Sequence, residues 1–249
     1  MLRPATILSA LRATPRHVVL RLQVDPMPAF AAGQAVLIGA PGTAPRRPYS
    51  IAVGPQEAAR SNALELLVGV SAEGVPGSHL PSLAAGTPVD LEGPVGTFVY
   101  PEAITQSAVL FVAGGSGIAP LRAMLHEALD ELDQARRPGA AAGRDLRVLY
   151  SARSAEEFAF DEELSALARG GRVVYRKTVT RHATPQWPGQ RGRISRGHLQ
   201  SLVDHPDDIL CFVCGPGALV HEVPRMLAEI GVAPAHIRVE EWAGPPPAS

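Results

Sequence analysis

The 249-residue chain has only two cysteines, too few for a disulfide framework or for an iron–sulfur cluster held by its own residues. Its formal net charge is −1, so it lacks the basic excess that draws proteins to nucleic acid or to membrane surfaces. No apolar run reaches the length of a membrane span. These absences predict a protein of a reducing, cytoplasmic compartment that neither binds nucleic acid nor spans a membrane.

The N-terminal segment has two interpretations. It contains arginine and no acidic residue before Asp25, which is a feature of transit peptides. Residues 7–11 and 18–24 also alternate apolar and polar side chains around a turn at Pro15, which is typical of strands. We favour two strands.

The first hundred residues have the pattern of an all-β barrel or sandwich, with short apolar runs between turns rich in proline and glycine. The predicted strands are 17–24, 34–39, 49–53, 64–70, 87–92 and 97–100, and the predicted turns are 26–28, 41–45, 54–55, 74–77 and 93–96.

The remainder of the chain alternates strands and helices, which predicts a parallel α/β sheet with right-handed crossovers. Strands are predicted at 108–113, 146–151, 172–178 and 209–214, helices at 119–136, 156–168, 195–203 and 216–230, and loops at 138–143 and 182–192. A polar link at 101–106 separates the two patterns, so we expect domains of 1–102 and 103–249.

A glycine-rich turn follows the first buried strand of the second domain. The sequence Gly114-Gly115-Ser116-Gly117 leads into a helix with Pro120 in its first turn, where the missing N–H of proline has no cost. Such a turn places backbone N–H groups and a helix N-terminus against a pyrophosphate. Alone it is an ambiguous signal, because many strand–helix turns bind nothing.

Two upstream segments carry groups that suit a nucleotide. Arg47-Pro48-Tyr49-Ser50 offers a cation for a phosphate, a flat ring and a hydroxyl, although an edge strand with a surface arginine has the same residues. The segment from Gly74 to Leu80 is predicted to be a turn followed by a helix start near Ser78.

These motifs, in this order over almost the whole chain, resemble the ferredoxin–NADP reductase superfamily. The resemblance implies an antiparallel Greek-key β-barrel that binds FAD, followed by a Rossmann-like domain that binds NAD(P). Its Arg-x-Tyr-Ser signature is matched by Arg47, Tyr49 and Ser50, which implies phosphate, ring and N5 contacts, with Pro48 between them. Its Gly-x-x-Ser signature is matched at Ser78 but not at Val75.

The resemblance implies further site residues. Gly77 and Ser78 are expected at the flavin pyrophosphate, and Trp242 over the flavin ring. Cys214 is expected beside the nicotinamide, and Glu240 is expected to aid proton delivery. The remaining NAD(P) contacts are expected from Gly114, Gly115, Gly117, Pro120, Ser151, Arg153, Thr180, Arg181, Gly215 and Pro216.

Coenzyme choice depends on the groups around the ribose. Thr180-Arg181 resembles a Ser-Arg pair of NADP-dependent relatives, so NADPH is expected, with NADH as the alternative.

Cys211 and Cys214 form a C-x-x-C, but strand residues three apart point to opposite faces and no second pair exists, so no metal site is expected.

The expected activity is hydride transfer from NAD(P)H to FAD, then single-electron transfer to a separate carrier such as ferredoxin or flavodoxin. The protein is expected to be a monomer. An oxygenase reductase or a free-flavin or quinone reductase is the alternative enzyme, and a non-catalytic nucleotide-binding regulatory subunit is the alternative of another class.

Overall fold

The computed structural model describes residues 2–43, 46–80, 82–135, 143–182 and 185–241. The chain divides into two compact units, one of Met1–Tyr100 with Arg122–Glu127 and one of Pro101–Leu121 with Ala128–Ser249. Each unit has its own six-stranded sheet and its own buried apolar core.

The first unit is an antiparallel sheet that curls into a barrel. Its strands are β1 (Leu2–Thr14), β2 (His17–Val24), β3 (Ala35–Gly39), β4 (Arg47–Ser50), β5 (Leu64–Gly69) and β6 (Pro88–Val95), and one helix, α1 (Pro55–Ser61), precedes β5. The order is β4-β3-β6-β1-β2-β5, and an antiparallel bridge between Ile51 and Leu66 joins the chain after β4 to β5. The predicted antiparallel barrel is confirmed.

Strict alternation explains why these segments form strands around one core. In β2, Val18, Leu20, Leu22 and Val24 are buried, whereas the residues between them are partly or fully exposed. Because successive side chains of a strand point to opposite faces, this period of two buries one face and leaves the other towards solvent.

Three local predictions of strands and turns in this unit are wrong. Gly93 and Pro94 lie within β6, where the pairing with β3 shifts register between Ala35 and Leu37, so they form a bulge rather than a turn, and 97–100 is not a strand. Pro55 begins α1 instead of marking a turn, since proline suits the first helical position.

The second unit is a parallel sheet with helical crossovers. Its strands are β7 (Ala108–Gly114), β8 (Asp145–Ser154), β9 (Val174–His182), β10 (Gln190–Arg191), β11 (Ile209–Gly215) and β12 (Ile237–Glu241), in the order β10-β9-β8-β7-β11-β12. The helices are α2 (Ile118–Ala135), α3 (Asp161–Arg169), α4 (Arg196–Gln200) and α5 (Gly217–Glu229). The predicted α/β parallel sheet is confirmed.

Strands β7 and β11 lie side by side inside this sheet and are buried at every position. Continuous burial is the signature of parallel strands covered on both faces, and it is why their sequences are unbroken apolar runs. Along the ranges that the structure describes, no helix is long and apolar enough to cross a membrane.

The edges of this sheet differ from prediction. Strand β10 lies within the predicted loop 182–192, and β12 was not predicted, because its half-exposed sequence Ile-Arg-Val-Glu-Glu has no apolar run.

The predicted helix 156–168 is a 3-10 turn at Ala155–Glu157 followed by α3.

Candidate functional site

In the first unit, the Arg-x-Tyr-Ser motif forms β4 at the side of β3, in the register Ile38–Arg47, Leu37–Pro48, Val36–Tyr49 and Ala35–Ser50. Tyr49 packs against the barrel core. Its hydroxyl oxygen lies 2.8 Å from Nε2 of His79, and the two rings are stacked with centroids 5.6 Å apart. Burial raises the pKa of Tyr49 to about 12, so the phenol keeps its proton at neutral pH.

Gly77 allows Arg47 of the motif and His79 of the following turn to approach its backbone closely. A Cβ at Gly77 would lie 3.0 Å from Nδ1 of His79 and 3.2 Å from Nη1 of Arg47. Within the described residues, the Arg47 guanidinium makes no hydrogen bond or ion pair. A cation beside a glycine backbone is suited to a phosphate.

The turn after Gly77 is shorter than predicted. The amide of Leu80 donates to the carbonyl of Gly77 at 3.0 Å, and Ser78 is exposed within this turn, so the predicted helix start at Ser78 is wrong. Leu80 is followed in the sequence by Pro81, and residues before a proline avoid helical dihedral angles.

In the second unit, the predicted glycine turn connects β7 to α2. Gly114 ends β7, Gly115–Gly117 forms a 3-10 turn, and Pro120 lies in the first turn of α2. Gly115 has φ +56°, in the left-handed region that favours glycine. The N-terminus of α2 thus begins at the carboxyl end of the central strand, where α/β proteins bind nucleotides.

The glycine turn packs directly against the end of β11. A Cβ at Gly117 would overlap the carbonyl oxygen of Cys214, and one at Gly114 would lie 2.9 Å from Cδ of Pro216. A Cβ at Gly215 would lie 3.1 Å from the Gly114 backbone. The two glycine-bearing strand ends are therefore in backbone contact, which larger residues would prevent.

Tyr150 supports this turn, although no sequence motif marks it as a site residue. Its buried hydroxyl donates to the carbonyl of Gly115 at 2.8 Å and accepts from the amide of Ala159 at 3.3 Å. The ring meets Phe158 edge-on, and Phe158 stacks on Trp187 with centroids 5.6 Å apart. The position of the turn is thus fixed by an aromatic cluster in which Tyr150 and Phe158 are buried.

Cys214 and Glu240 are register partners on the adjacent strands β11 and β12. Burial raises the pKa of the Cys214 thiol, and the nearby Glu240 carboxylate raises it further, so the sulfur stays protonated. Burial also raises the pKa of Glu240 to about 7. This pair offers a neutral thiol and a carboxyl group that can exchange a proton near neutral pH.

We expect Glu240→Gln to gain stability over the wild type as the pH rises from about 5 to about 8. The raised pKa means that folded Glu240 holds a proton that the unfolded chain has lost, so wild-type stability falls as pH rises from the unfolded pKa to the folded pKa. The difference in thermal midpoint should grow by roughly 3–8 °C.

The matched control for this measurement is Glu241→Gln, the same change at the exposed neighbour. It tests whether the gain in stability is specific to Glu240. Parallel curves for the two variants would contradict the assignment of a buried, proton-holding carboxyl group to Glu240.

The predicted ribose contacts lie towards the carboxyl ends of β8 and β9. These strands pair in the register Ser151–Thr178, with Arg153 and Thr180 further along. Ser151 is buried, whereas Arg153 and Arg181 are exposed. In the part of the chain that the structure describes, neither arginine has a hydrogen bond or an ion pair.

The comparisons with known proteins agree with this geometry. Residues 10–100 match the oxidoreductase FAD-binding domain, and residues 111–224 match the oxidoreductase NAD-binding domain. Ferredoxin–NADP reductase B of Sorangium cellulosum is 34% identical over 226 residues, which cover 86% of this chain and 85% of that protein. The chain belongs to the ferredoxin–NADP reductase family.

Other members of the ferredoxin–NADP reductase family are also similar. One subunit of the Na(+)-translocating NADH-quinone reductase of Klebsiella pneumoniae is 30% identical over 69% of this chain, which spans only 41% of that protein. The Amycolatopsis cytochrome P450 reductase GcoB has a TM-score of 0.79 and 25% identity, over 96% of this chain and 70% of that one. The ferredoxin NADP+ reductase of Neisseria gonorrhoeae has the same fold, with a TM-score of 0.74 and 20% identity over 96% of this chain and 98% of that one.

Membership of the ferredoxin–NADP reductase family confirms the predictions of an FAD-dependent oxidoreductase with FAD-binding and NAD(P)-binding domains. The residues present fit both cofactors, since within the described residues the Arg47 guanidinium beside Gly77 has no partner, and a Cβ at Gly115 in the glycine turn would meet no atom within 4 Å. The roles of single residues stay predictions, and Trp242 lies outside the described residues.

Proposed function

We propose that this protein is an NADPH-dependent flavin reductase that passes electrons one at a time to a small separate carrier, ferredoxin or flavodoxin. The observation that carries the proposal is the pair Cys214 and Glu240 at the carboxyl edge of the parallel sheet, with the glycine turn packed against Cys214. The proposed FAD domain is 1–102 and the proposed NADPH domain is 103–249.

The proposed flavin site is built on β4 and on the turn at Gly77. Arg47 would neutralise a phosphate, Tyr49 would present its ring face, and the hydroxyl of Ser50 would lie near the reactive ring nitrogen. Pro48, Gly77 and Ser78 complete this site. When bound, FAD supplies the conversion between hydride transfer and single-electron transfer.

The proposed coenzyme site follows the carboxyl edge of the second sheet. Backbone groups of the glycine turn and of Gly215-Pro216 would receive the pyrophosphate at the N-terminus of α2, with Pro120 in its first turn. The neutral Cys214 thiol would pack beside the nicotinamide. The Glu240 carboxyl group would hold a proton that it can exchange with the electron acceptor or with solvent.

The proposed preference for NADPH depends on the exposed arginines. We expect Arg181→Ala to lower the preference for NADPH over NADH, measured as the ratio of kcat/KM values, by roughly tenfold to a hundredfold. The 2′-phosphate carries close to two negative charges that Arg181 would contact, with Thr180, Ser151 and Arg153 nearby, whereas NADH lacks this group.

The matched control is Arg176→Ala, which removes an exposed arginine from the same strand β9 but nearer its amino end. It should leave the coenzyme ratio unchanged. A wild type that prefers NADH, or an unchanged ratio in Arg181→Ala, would show that Arg181 is a solvated surface residue without a role in coenzyme choice.

The choice of acceptor is supported by the relatives. Ferredoxin–NADP reductase B of Sorangium cellulosum is similar over most of its length, and the two cysteines of this chain cannot hold an iron–sulfur cluster.

The second candidate is an oxygenase or quinone reductase, favoured by the similarity to the Amycolatopsis P450 reductase and to the NADH-quinone reductase of Klebsiella pneumoniae. We also propose that the protein is a monomer and that it is cytoplasmic, since a reducing compartment suits its two free cysteines.

The visible spectrum of the purified protein tests the proposal. It should show bound FAD that NADPH bleaches under argon, and the colour should return on addition of oxidised ferredoxin or flavodoxin. Return only with a quinone or free flavin would favour the second candidate. A protein that binds no FAD, or whose FAD is not bleached by either coenzyme, would refute the enzymatic function and leave a nucleotide-binding subunit.

A further inference from the structure

His79 is the most deeply buried titratable side chain near the proposed flavin site, with 4% of its surface exposed. One ring nitrogen, Nε2, lies 2.8 Å from the hydroxyl of Tyr49. The other, Nδ1, is buried and has no hydrogen-bond partner among the described residues. Because buried polar groups are almost always hydrogen-bonded, an unpaired Nδ1 points to a group that the protein binds.

The proton positions on this pair follow from its environment. The buried Tyr49 phenol keeps its proton, since burial raises its pKa to about 12. Burial and the neighbouring Arg47 lower the pKa of His79, so its ring is neutral and carries one proton. When Tyr49 donates to Nε2, that proton is on Nδ1, which is then a buried donor without an acceptor.

The Nδ1 donor of His79 lies near the Arg47 guanidinium of the Arg-x-Tyr-Ser motif. The Cβ position of Gly77 lies 3.0 Å from Nδ1 and 3.2 Å from Nη1 of Arg47. An imidazole N–H and a guanidinium nitrogen therefore both lie close to one point beside the Gly77 backbone. Two donors, one of them charged, are suited to the oxygens of a phosphoryl group.

We propose that His79 is a direct ligand of the FAD pyrophosphate, donating from Nδ1 beside Arg47 while its Nε2 holds the hydroxyl of Tyr49. One side chain would then connect the phosphate end of the flavin site to the aromatic ring of Tyr49. The inference rests on the flavin site of the proposed function, and it assigns a role to a residue outside the Arg-x-Tyr-Ser motif.

Two substitutions separate the functions of the two ring nitrogens. His79→Gln places its amide near the position of Nε2 and removes the donor at Nδ1, whereas His79→Asn places its amide near Nδ1 and loses the contact with Tyr49. His205→Gln is the matched control, because it is the same change at an exposed histidine of the other unit.

The measurement is a titration of each apoprotein with FAD and, separately, with riboflavin, which has the flavin ring but no phosphate. We expect His79→Gln to weaken FAD binding roughly tenfold to a hundredfold and to leave riboflavin binding within about threefold of the wild type. Arg47→Ala should show the same selectivity, His79→Asn should retain most of the FAD affinity, and His205→Gln should match the wild type.

Equal weakening of FAD and riboflavin binding in His79→Gln would overturn the inference, since His79 would then act only through Tyr49. Wild-type FAD affinity in this variant would overturn it as well. If His79→Gln does not fold, judged by circular dichroism, His79→Ala compared with His79→Asn tests the same donor. A wild type that binds no FAD would instead refute the proposed function itself.

Discussion

Gly117→Ala will lower kcat/KM for NADPH by roughly a hundredfold while leaving the content of bound FAD unchanged. The added Cβ would overlap the carbonyl oxygen of Cys214 and lie 2.8 Å from the amide nitrogen of Gly215. Both contacts are with backbone, so no side chain can rotate away and the glycine turn or the end of β11 must move. Either movement displaces the groups that would receive the coenzyme.

The control for this substitution is Gly69→Ala in β5, where an added Cβ meets no atom within 4 Å. It should leave the steady-state kinetics close to those of the wild type. Unchanged kinetics in Gly117→Ala would mean that the strand ends separate at little cost, and the assignment of the pyrophosphate to this turn would lose its main support.

Cys214→Ala will slow flavin reduction by roughly tenfold to a hundredfold at saturating NADPH and will change the Kd for NADPH by less than about threefold. The thiol is proposed to contact only the reacting end of the coenzyme, so its loss affects the transition state more than binding. Stopped-flow absorbance under argon separates the two quantities, because the limiting rate and the half-saturating concentration are read from the same series.

Cys211→Ala is the matched control. Cys211 is buried three residues earlier on β11, and burial raises the pKa of its thiol to about 12, so both cysteines are neutral, buried sulfur atoms. The control should reduce stability and leave the reduction rate unchanged. Equal rates for the two variants would show that Cys214 serves only to fill the core.

Regular side-chain patterns made most of both sheets predictable from the sequence. The period of two in β2 and the unbroken apolar runs of β7 and β11 are imposed by burial alone, so they are visible without coordinates. β12 was missed because an edge strand buries too little surface to need an apolar run. Gly93 and Pro94 predict a turn but form a bulge, because glycine and proline are typical of both features.

The motifs of the site were predictable, but the residues that support them were not. Arg47 and Gly117 belong to short segments whose composition is informative in itself. His79 and Tyr150 act through contacts with Tyr49 and Gly115, which lie 30 and 35 residues away along the chain. No local pattern encodes such a contact, since a histidine after a turn or a tyrosine in a buried strand has many ordinary uses.

The pairing of β7 with β11 also determines when the proposed coenzyme site forms. Ala108 is in register with Ile209, about a hundred residues later, so the two glycine-bearing ends meet only after a long loop of chain has closed. During synthesis the strands of the first unit are complete long before β11 leaves the ribosome. The edge formed by Gly117 and Cys214 therefore cannot form until β11 has been synthesised, when all strands of the first unit are already present.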